Sequence, residues 1–189
     1  FLLGTSALVC LALAAPVMAD DFVITGSDNS TNGTGTTNGG TAAAIAGTAI
    51  NGSDTVSLGI ALTTTGTNVG IKTNNNDTEA QSNTVTVTGT GSITTGTGNN
   101  AYGIYNDGAY NTTTVAGSIT TAGFFANGIR NDGNYNKTTL SGSITTSNDI
   151  YAYGIYNLGD SNTTTVSGSI TTGTGNPTYG IFNLGNNNK

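Results

Sequence analysis

The repeated part of the chain alternates apolar and polar side chains with a period of two residues. In the copy nearest the C-terminus, Val166 and Ile170 fall on one face of an extended segment, whereas Thr165 and Ser169 fall on the other. This alternation is typical of β-strands, in which successive side chains point to opposite sides. A second short segment follows, in which a tyrosine and an isoleucine lie two residues apart, as Tyr102 and Ile104 do. Each repeat therefore predicts at least two strands and two turns.

The pattern recurs at a nearly constant interval. The motif Gly-Ser-Ile-Thr-Thr is spaced by 26, 25 and 26 residues, and it begins at Gly91, Gly117, Gly142 and Gly168. The pair Gly-Ile is spaced by 25, 26 and 26 residues, and it begins at Gly103, Gly128, Gly154 and Gly180. A looser copy occupies residues 57–74 and is followed by an expanded Asn-rich connection. A fixed period of this length is typical of stacked repeat proteins.

One repeat has too few apolar side chains to bury them alone, so neighbouring repeats must stack. If the chain winds once per repeat, identical residues form three internal columns: Ile93, Ile119, Ile144 and Ile170; Ile104, Ile129, Ile155 and Ile181; and Val115, Leu140 and Val166. Successive windings then lie about 4.8 Å apart, joined by backbone hydrogen bonds. The predicted fold is all-β, a parallel β-helix (β-solenoid) with 25 or 26 residues per winding.

Asparagines repeat with the same period. One set follows the Gly-Ile segment, with a glycine two residues later: Asn106, Asn131, Asn157 and Asn183. A second set lies further on: Asn111, Asn136, Asn162 and Asn188. Because asparagine tolerates left-handed backbone, we expect the first set in turns. Stacked asparagine side chains are also expected to hydrogen-bond from one winding to the next.

The composition agrees with a polar solenoid rather than a compact globule. Only 35% of the 189 residues are hydrophobic and 7% are charged, which disfavours a single compact core. Disordered chains are usually rich in charge and proline, whereas this chain has two prolines and few ionisable groups. Threonine-rich, uncharged sequence favours β-structure.

Charge and the missing residue types restrict the chemistry. The formal net charge is -6, so no basic stripe is available for nucleic acid, and we expect no nucleic-acid partner. The chain has no histidine, which excludes histidine acid-base catalysis, Ser-His triads and imidazole metal sites. Its one cysteine, Cys10, precedes the repeats, so they hold no thiol. We expect no enzymatic activity, no cofactor and no metal site.

The N-terminus indicates export. Residues 1–19 form an apolar run that ends in Pro16 and a Val-Met-Ala pattern, which predicts a signal peptide cleaved before Asp20. A transmembrane anchor is the alternative, although the run falls short of about 20 apolar residues. We therefore expect the chain at the cell surface, in the outer membrane or outside the cell.

Two further segments follow the leader. Residues 20–40 are a low-complexity lead-in, with a short first strand expected at Phe22 to Thr25. Residues 41–189 are the β-helical repeat region, which we interpret as incomplete at its C-terminus because the sequence stops within a repeat.

The run "GSITTGTGNNAYGIYNDG", repeated after a signal peptide in a Thr-, Asn- and Gly-rich chain, resembles the passenger regions of bacterial autotransporters, the type V secretion proteins. The resemblance covers roughly residues 41–189 plus the leader and concerns the style of the repeat. It implies a right-handed parallel β-helix at the cell surface, an N-terminal fragment of a longer chain that ends in an outer-membrane β-barrel.

The most variable segment of the repeat is a candidate ligand site. Its aligned residues include Phe125 and Tyr151, with Phe124 and Ile150 beside them, and we expect them to form an exposed apolar patch. Such patches mark recognition surfaces, so Phe124, Phe125 and Tyr151 are the predicted contacts to a cell-surface glycan or protein. The alternative is a row that only packs on itself.

Two further sets of residues have competing interpretations. An outward row is expected to place Arg130 between aromatic faces in cation-π contact, and it comprises Tyr105, Arg130, Tyr156 and Phe182. Asp107 and Asp132 align about 5 Å apart, as in some glycosidases, but each lies in an Asn-Asp-Gly turn, where aspartate is favoured for local backbone reasons, and we prefer that interpretation. Together with Asp149 and Asp160 they are also candidate calcium ligands.

The sequence thus predicts a secreted autotransporter passenger that presents a repetitive surface for adhesion or aggregation, through many weak contacts. Two other functions stay open: a polysaccharide lyase or hydrolase on the same scaffold, and a purely structural spacer. A trimeric adhesin head is the alternative architecture.

Overall fold

The structure is a computed structural model that describes residues 21–24, 55–59, 61–74, 78–79 and 82–189. In these residues the strands form three parallel sheets. Sheet A contains β1 (Asp21–Ile24), β2 (Thr55–Leu58), β5 (Thr84–Val87), β8 (Thr112–Val115), β11 (Lys137–Leu140) and β14 (Thr163–Val166). Sheet B contains β4 (Ile71–Asn74), β7 (Ile104–Asp107), β10 (Ile129–Asn131), β13 (Ile155–Asn157) and β16 (Ile181–Asn183). Sheet C contains β3 (Ala61–Thr63), β6 (Ser92–Thr94), β9 (Ser118–Thr120), β12 (Ser143–Thr145) and β15 (Ser169–Thr171).

Each winding of the chain passes through sheet A, then sheet C, then sheet B. We call one winding a coil and name its bends the A–C corner, the C–B corner and the B–A corner. Sheets B and C each have five strands, one per coil, so the described part of the chain is a β-solenoid of about five coils. The predicted fold class is confirmed. The segment expected to be one extended strand is in fact two, because the chain bends at the A–C corner between β8 and β9.

The strands pair in the register that the repeat predicts. Ile144 lies opposite Ile119 on one side and Ile170 on the other. Thr112 pairs with Lys137, 25 positions on, whereas Thr84 pairs with Thr112, 28 positions on, in the looser early coils. Like residues therefore stack on like residues along the axis.

The interior is filled by these columns of aliphatic side chains, although their last members Val166 and Ile181, predicted to be internal, are 38% and 41% exposed. The fully or almost fully buried members include Val56, Leu58, Ile71, Val85, Val87, Ile93, Ile104, Val115, Ile119, Ile129, Leu140, Ile144 and Ile155. Each such side chain contributes about 1.5 to 3 kcal/mol when it is buried. The core is consequently a narrow rod along the axis rather than a globular centre.

Asparagine ladders run beside the aliphatic columns. Asn106 donates through Nδ2 to Oδ1 of Asn131 at 2.6 Å, and Asn131 donates in the same way to Asn157 at 2.7 Å. The predicted coil-to-coil bonding is confirmed, but the expected left-handed turn position is wrong. Asn131 and Asn157 end their strands of sheet B and Asn106 lies one residue before the end of β7, and all three point inward and are completely buried.

The second asparagine row bonds from side chain to backbone. Oδ1 of Asn136 accepts from the amide of Asn111 at 2.8 Å, and Oδ1 of Asn162 accepts from the amide of Asn136 at 2.7 Å. Each side chain thus satisfies a buried backbone amide of the neighbouring coil at the B–A corner.

The glycine column at the A–C corner is explained by close backbone approach. A Cβ on Gly142 would overlap the carbonyl oxygen of Gly117 and lie 2.5 Å from that of Ala116. No side chain fits there while the coils keep their spacing, so each copy of the motif begins with glycine.

Parts of the chain named above lie outside the described residues, including the leader at 1–19 and most of the lead-in. Within the lead-in, the first strand is β1 at Asp21–Ile24, which pairs in parallel with β2. Sheet A therefore extends into segment 20–40.

Candidate functional site

The predicted ligand contacts meet at the C–B corner of two neighbouring coils. The Phe124 and Phe125 rings pack edge to face with centroids 4.4 Å apart, and Phe125 stacks in parallel on Tyr151 at 4.7 Å. Phe125 and Ile150 each expose 37% of their surface, whereas Phe124 and Tyr151 are half-buried. We call these four residues the corner cluster. Their alignment predicted that they meet; that they bind a ligand stays a prediction.

The corner cluster is held on an unusual backbone. Phe125 has φ of 56° and Tyr151 has φ of 59°, and Asn100, at the same place one coil earlier, has φ of 59°. The left-handed region disfavours bulky residues and is tolerated best by glycine and asparagine. The amides of all three donate to carbonyl groups of the next coil at 2.9 to 3.3 Å, so the coil-to-coil ladder fixes this conformation.

Buried threonines close the base of the same corner. Thr121 Oγ1 donates to the carbonyl of Ala126 at 2.6 Å, and Thr146 Oγ1 donates to that of Ala152 at 2.9 Å. Each bond spans the loop that carries the aromatic residues, and the aromatic side chains are therefore placed by a rigid frame.

Polar side chains precede Tyr151 in the corner. Oδ1 of Asn148 accepts from the amide of Thr174 at 3.1 Å, and the Ser147 hydroxyl lies 3.1 Å from Oδ2 of Asp149. Asn148 and Asp149 are exposed. The border of the cluster thus offers an amide, a hydroxyl and one carboxylate.

The outward row on sheet B is a second polar-aromatic surface, centred on Arg130. The guanidinium lies 5.5 Å from the ring centroids of both Tyr105 and Tyr156, which confirms the predicted cation-π row. It also lies 5.1 Å from the ring of Tyr102 and donates to that hydroxyl at 2.5 Å. A bidentate pair joins it to Asp132, at 2.6 and 2.8 Å.

Sequence reasoning missed Tyr102 and Asp132 as partners of Arg130. The signal was present, because residues two apart in a strand point the same way, and Arg130 and Asp132 are two apart. Asp132 was instead interpreted as a turn residue.

Burial and ion pairing set the protonation of this network. Burial, followed by the charge and hydrogen bond of Asp132, raises the pKa of Tyr105 above its usual range. Burial also raises the pKa of Tyr102, against the opposing effect of Arg130. For Arg130, burial acts to lower the pKa, and the hydrogen bonds to Asp132 together with the nearby charges raise it overall. The tyrosines are thus neutral and the arginine charged over the whole physiological range.

The aligned aspartates are both held in ion pairs. Asp107 lies 3.0 Å from Lys72 Nζ, and Lys72 in turn lies 5.0 Å from the centroid of the Tyr105 ring. Asp132 pairs with Arg130 and accepts a hydrogen bond from Tyr105 at 2.9 Å. The carboxylates therefore have basic partners on the same sheet.

The other two candidate calcium ligands, Asp160 and Asp149, form hydrogen bonds within the protein at their corners. Oδ1 of Asp160 accepts from the amide of Asn186 at 2.6 Å, and Asp149 contacts Ser147. Among the described residues, no three acidic or thiol side chains gather where they could hold a metal ion.

Aromatic packing continues along sheet B beyond Arg130. Tyr156 stacks on Phe182 at 5.5 Å and Tyr179 on Phe182 at 5.4 Å. Tyr153 contacts both Tyr156 and Tyr179, at 5.5 and 5.6 Å. The rings of Tyr153, Tyr156 and Phe182 therefore pack mainly against one another and against Tyr179.

A shallow groove of 570 Å³ follows the A–C corner. Glycine and small hydroxyl or methyl side chains form its walls, among them Gly117, Ser118, Gly142 and Ser143. The repeated Gly-Ser pairs in the sequence could have predicted a column of small residues here.

Fold and site together define a polar parallel β-solenoid with aromatic clusters on sheet B and its corners. Comparison with protein-family models, with curated proteins and with solved structures finds no match. In the residues that the structure describes, no helix has the length and apolar character needed to cross a membrane.

Proposed function

We propose that the chain is the passenger region of a type V secretion protein, exported to the cell surface, where its solenoid presents a recognition surface for adhesion or aggregation. The apolar leader and the Thr-, Asn- and Gly-rich repeat support the export route. The observation that carries the recognition role is the exposed corner cluster of Phe124, Phe125, Ile150 and Tyr151.

Two properties of the cluster favour binding over packing. Phe125 is exposed, so its ring gains only part of the free energy that burial would supply. It also occupies left-handed backbone, where Asn100 stands one coil earlier. Residues kept in such conformations are concentrated at functional sites. An aromatic ring thus occupies a position where asparagine suits the fold better.

The solenoid makes a suitable carrier for weak contacts. Its coils are joined by backbone ladders and buried asparagine ladders, which hold surface side chains at a fixed axial spacing. Several weak sites on one rigid body bind a repetitive surface far more tightly than one site does.

The alternatives have less support from specific residues. A glycan-cleaving enzyme requires carboxylates available for acid-base work, whereas Asp107 and Asp132 are paired with Lys72 and Arg130. The rigid rod also fits a structural spacer. A spacer differs from a recognition surface in that the chain alone should bind neither cells nor glycans.

Binding is tested with beads coated with the full chain, incubated with cultured epithelial cells and on a printed glycan array. The variant Phe124→Ser, Phe125→Asn, Tyr151→Asn should lose adhesion while it keeps its circular dichroism spectrum. The matched control, Thr114→Ala with Thr139→Ala, changes two outward residues of sheet A and should adhere normally. Equal adhesion of the aromatic variant, or none by the unaltered chain, would remove the recognition role.

Export is tested separately. Residues 1–19, completed with an initiator methionine and fused to an alkaline phosphatase that is active only outside the cytoplasm, should give activity in a Gram-negative host. Loss of activity is expected when Leu11 and Leu13 are both replaced by Arg, because charges interrupt the apolar run. An inactive unaltered fusion would contradict the export route and leave the binding result unaffected.

A further inference from the structure

The B–A corner carries a second aromatic pair, distinct from the corner cluster. Tyr110 and Tyr135 lie one coil apart, in line with the pairing of Thr112 and Lys137. Their rings stack with centroids 5.0 Å apart and planes inclined by 14°. Tyr135 exposes 53% of its surface, more than any other aromatic residue that the structure describes.

The backbone at this corner does not favour tyrosine. Tyr110 has φ of 62° and Tyr135 has φ of 59°, and the equivalent residues of the next two coils, Ser161 and Asn187, have φ of 58° and 56°. Left-handed backbone is unfavourable for each of the two tyrosines. Stacking of a single pair of rings offsets no more than part of that cost, so fold stability alone gives no net reason for these tyrosines.

The stack stops after two rings, and Tyr135, at its end, stays more than half exposed. Ser82 lies in register before Tyr110, and Ser161 lies in register after Tyr135. Neither side chain is large enough to cover a phenol ring. On sheet B, by contrast, the Tyr105 hydroxyl is engaged by Asp132 and its ring lies against two cations.

The surroundings of the pair identify the ligand chemistry. Its neighbours are the exposed Asn134, the hydroxyl of Ser161 and two exposed residues of opposite charge, Asp160 and Lys137, and the whole chain has a formal net charge of -6. An acidic polysaccharide is therefore disfavoured. A patch of two rings is also far smaller than the roughly 800 Å² per partner of a stable protein interface. A sugar ring, with an apolar face and a rim of hydroxyls, matches both the size and the polarity.

We propose that the Tyr110–Tyr135 pair is a binding site for neutral polysaccharide, in which the apolar face of a sugar ring stacks on the open face of a tyrosine. This site lies at the B–A corner, where the strands of sheet B end, whereas the corner cluster lies at the C–B corner, where they begin. It depends neither on export nor on adhesion through Phe125, so its failure and theirs are distinguishable.

The site is tested by ligand-observed NMR with the full chain and three neutral oligosaccharides: the hexamers of β-1,4-linked glucose, α-1,4-linked glucose and N-acetylglucosamine. At least one should bind, and Tyr135→Asn should weaken its affinity by about fivefold, which corresponds to about 1 kcal/mol for a stacked ring. Tyr135→Phe should retain most of the affinity, since it keeps the ring.

The controls separate recognition from folding. Tyr135→Asn is expected to unfold at the same or higher denaturant concentration, because asparagine suits left-handed backbone, and Tyr135→Ser provides a second variant with the residue found at 161. Phe125→Asn, at the other corner, should bind the oligosaccharide normally. The acidic hexamer of galacturonate is measured in the same way as a comparison. Absence of binding by all three neutral hexamers, binding unchanged in both Tyr135→Asn and Tyr135→Ser, or tighter binding of the galacturonate hexamer would overturn the proposal.

Discussion

Ile119 and Ile144 lie directly opposite each other on neighbouring parallel strands, and both side chains are completely buried. The same relationship recurs from coil to coil, so the core is built by stacking one residue on its own copies. Because each coil contacts only its neighbours, stability is approximately a sum of local terms. Substitutions at equivalent positions should therefore have similar effects.

Truncation of a stacked isoleucine should be strongly destabilising. Ile144→Ala removes a completely buried side chain between Ile119 and Ile170, and such changes cost about 2 to 5 kcal/mol. Urea unfolding followed by circular dichroism measures the loss. Ser143→Ala, on the outward side of the same strand, should change stability by less than about 0.5 kcal/mol. Equal effects of the two would mean that the inward column does not form.

The buried asparagine ladder should be sensitive to the loss of one amide. Asn131 donates to Asn157 and Thr138 and accepts from Asn106, so Asn131→Ala leaves buried partners without a hydrogen bond, at about 1 to 3 kcal/mol. Asn131→Asp should be worse near neutral pH, because it places a carboxylate against the Asn157 Oδ1 acceptor.

The matched control for this ladder is Asn134→Asp. Asn134 is exposed, and its Oδ1 accepts from the amide of Asp160 at 2.7 Å, a role that a carboxylate oxygen retains. Its unfolding midpoint should stay close to that of the unaltered chain. Similar midpoints for Asn131→Asp and Asn134→Asp would argue against a buried ladder.

Close packing at the A–C corner should forbid a single methyl group. Gly142→Ala places a Cβ onto the Gly117 carbonyl oxygen, and overpacking of this kind costs about 1 to 3 kcal/mol or more. Gly89→Ala provides the control, because a Cβ there meets nothing within 4 Å. That variant should be neutral or gain about 0.4 to 1 kcal/mol through the unfolded state. Thermal unfolding distinguishes the two, and equal midpoints would refute the close approach.

Alkaline pH should weaken the fold through the sheet B network. The raised pKa of Tyr105 means that the folded chain keeps this proton where the unfolded chain, with a tyrosine pKa of about 10, has lost it. The stabilisation is complete below that pH and is lost as the pH rises further. Unfolding midpoints measured from about pH 9 to about pH 11 should fall more steeply for the unaltered chain than for Tyr105→Phe. Parallel slopes would show that this phenol does not govern the alkaline response.

The asparagine columns show how far sequence reasoning reached. That Asn106 and Asn131 stack and bond was predicted from their spacing, but their place inside the rod was not. An asparagine followed two residues later by glycine usually marks a turn, and here tertiary packing placed it at the inward-facing end of a strand. Its amide is satisfied by the copies above and below, which compensates for burial.

The aromatic corners were predicted only in part. Alignment of Phe125 with Tyr151 came from the repeat, whereas Tyr110 and Tyr135 were missed, although each is the second residue after an Asn-Asp-Gly motif. An aromatic residue in the sequence does not predict left-handed backbone, because glycine and asparagine are the residues that favour this conformation. The conformation is set instead by amide bonds to the next coil.

The spacing of identical residues was enough to establish the coil length, the three aliphatic columns and the register, because a rod of stacked strands requires like side chains to lie one above another. Which residues face outward at the corners, and which charges meet on sheet B, was decided by the folded backbone. Corner geometry and the contacts of Arg130 with Tyr102 and of Lys72 with Asp107 depend on hydrogen bonds and packing between coils, which join positions far apart in the chain.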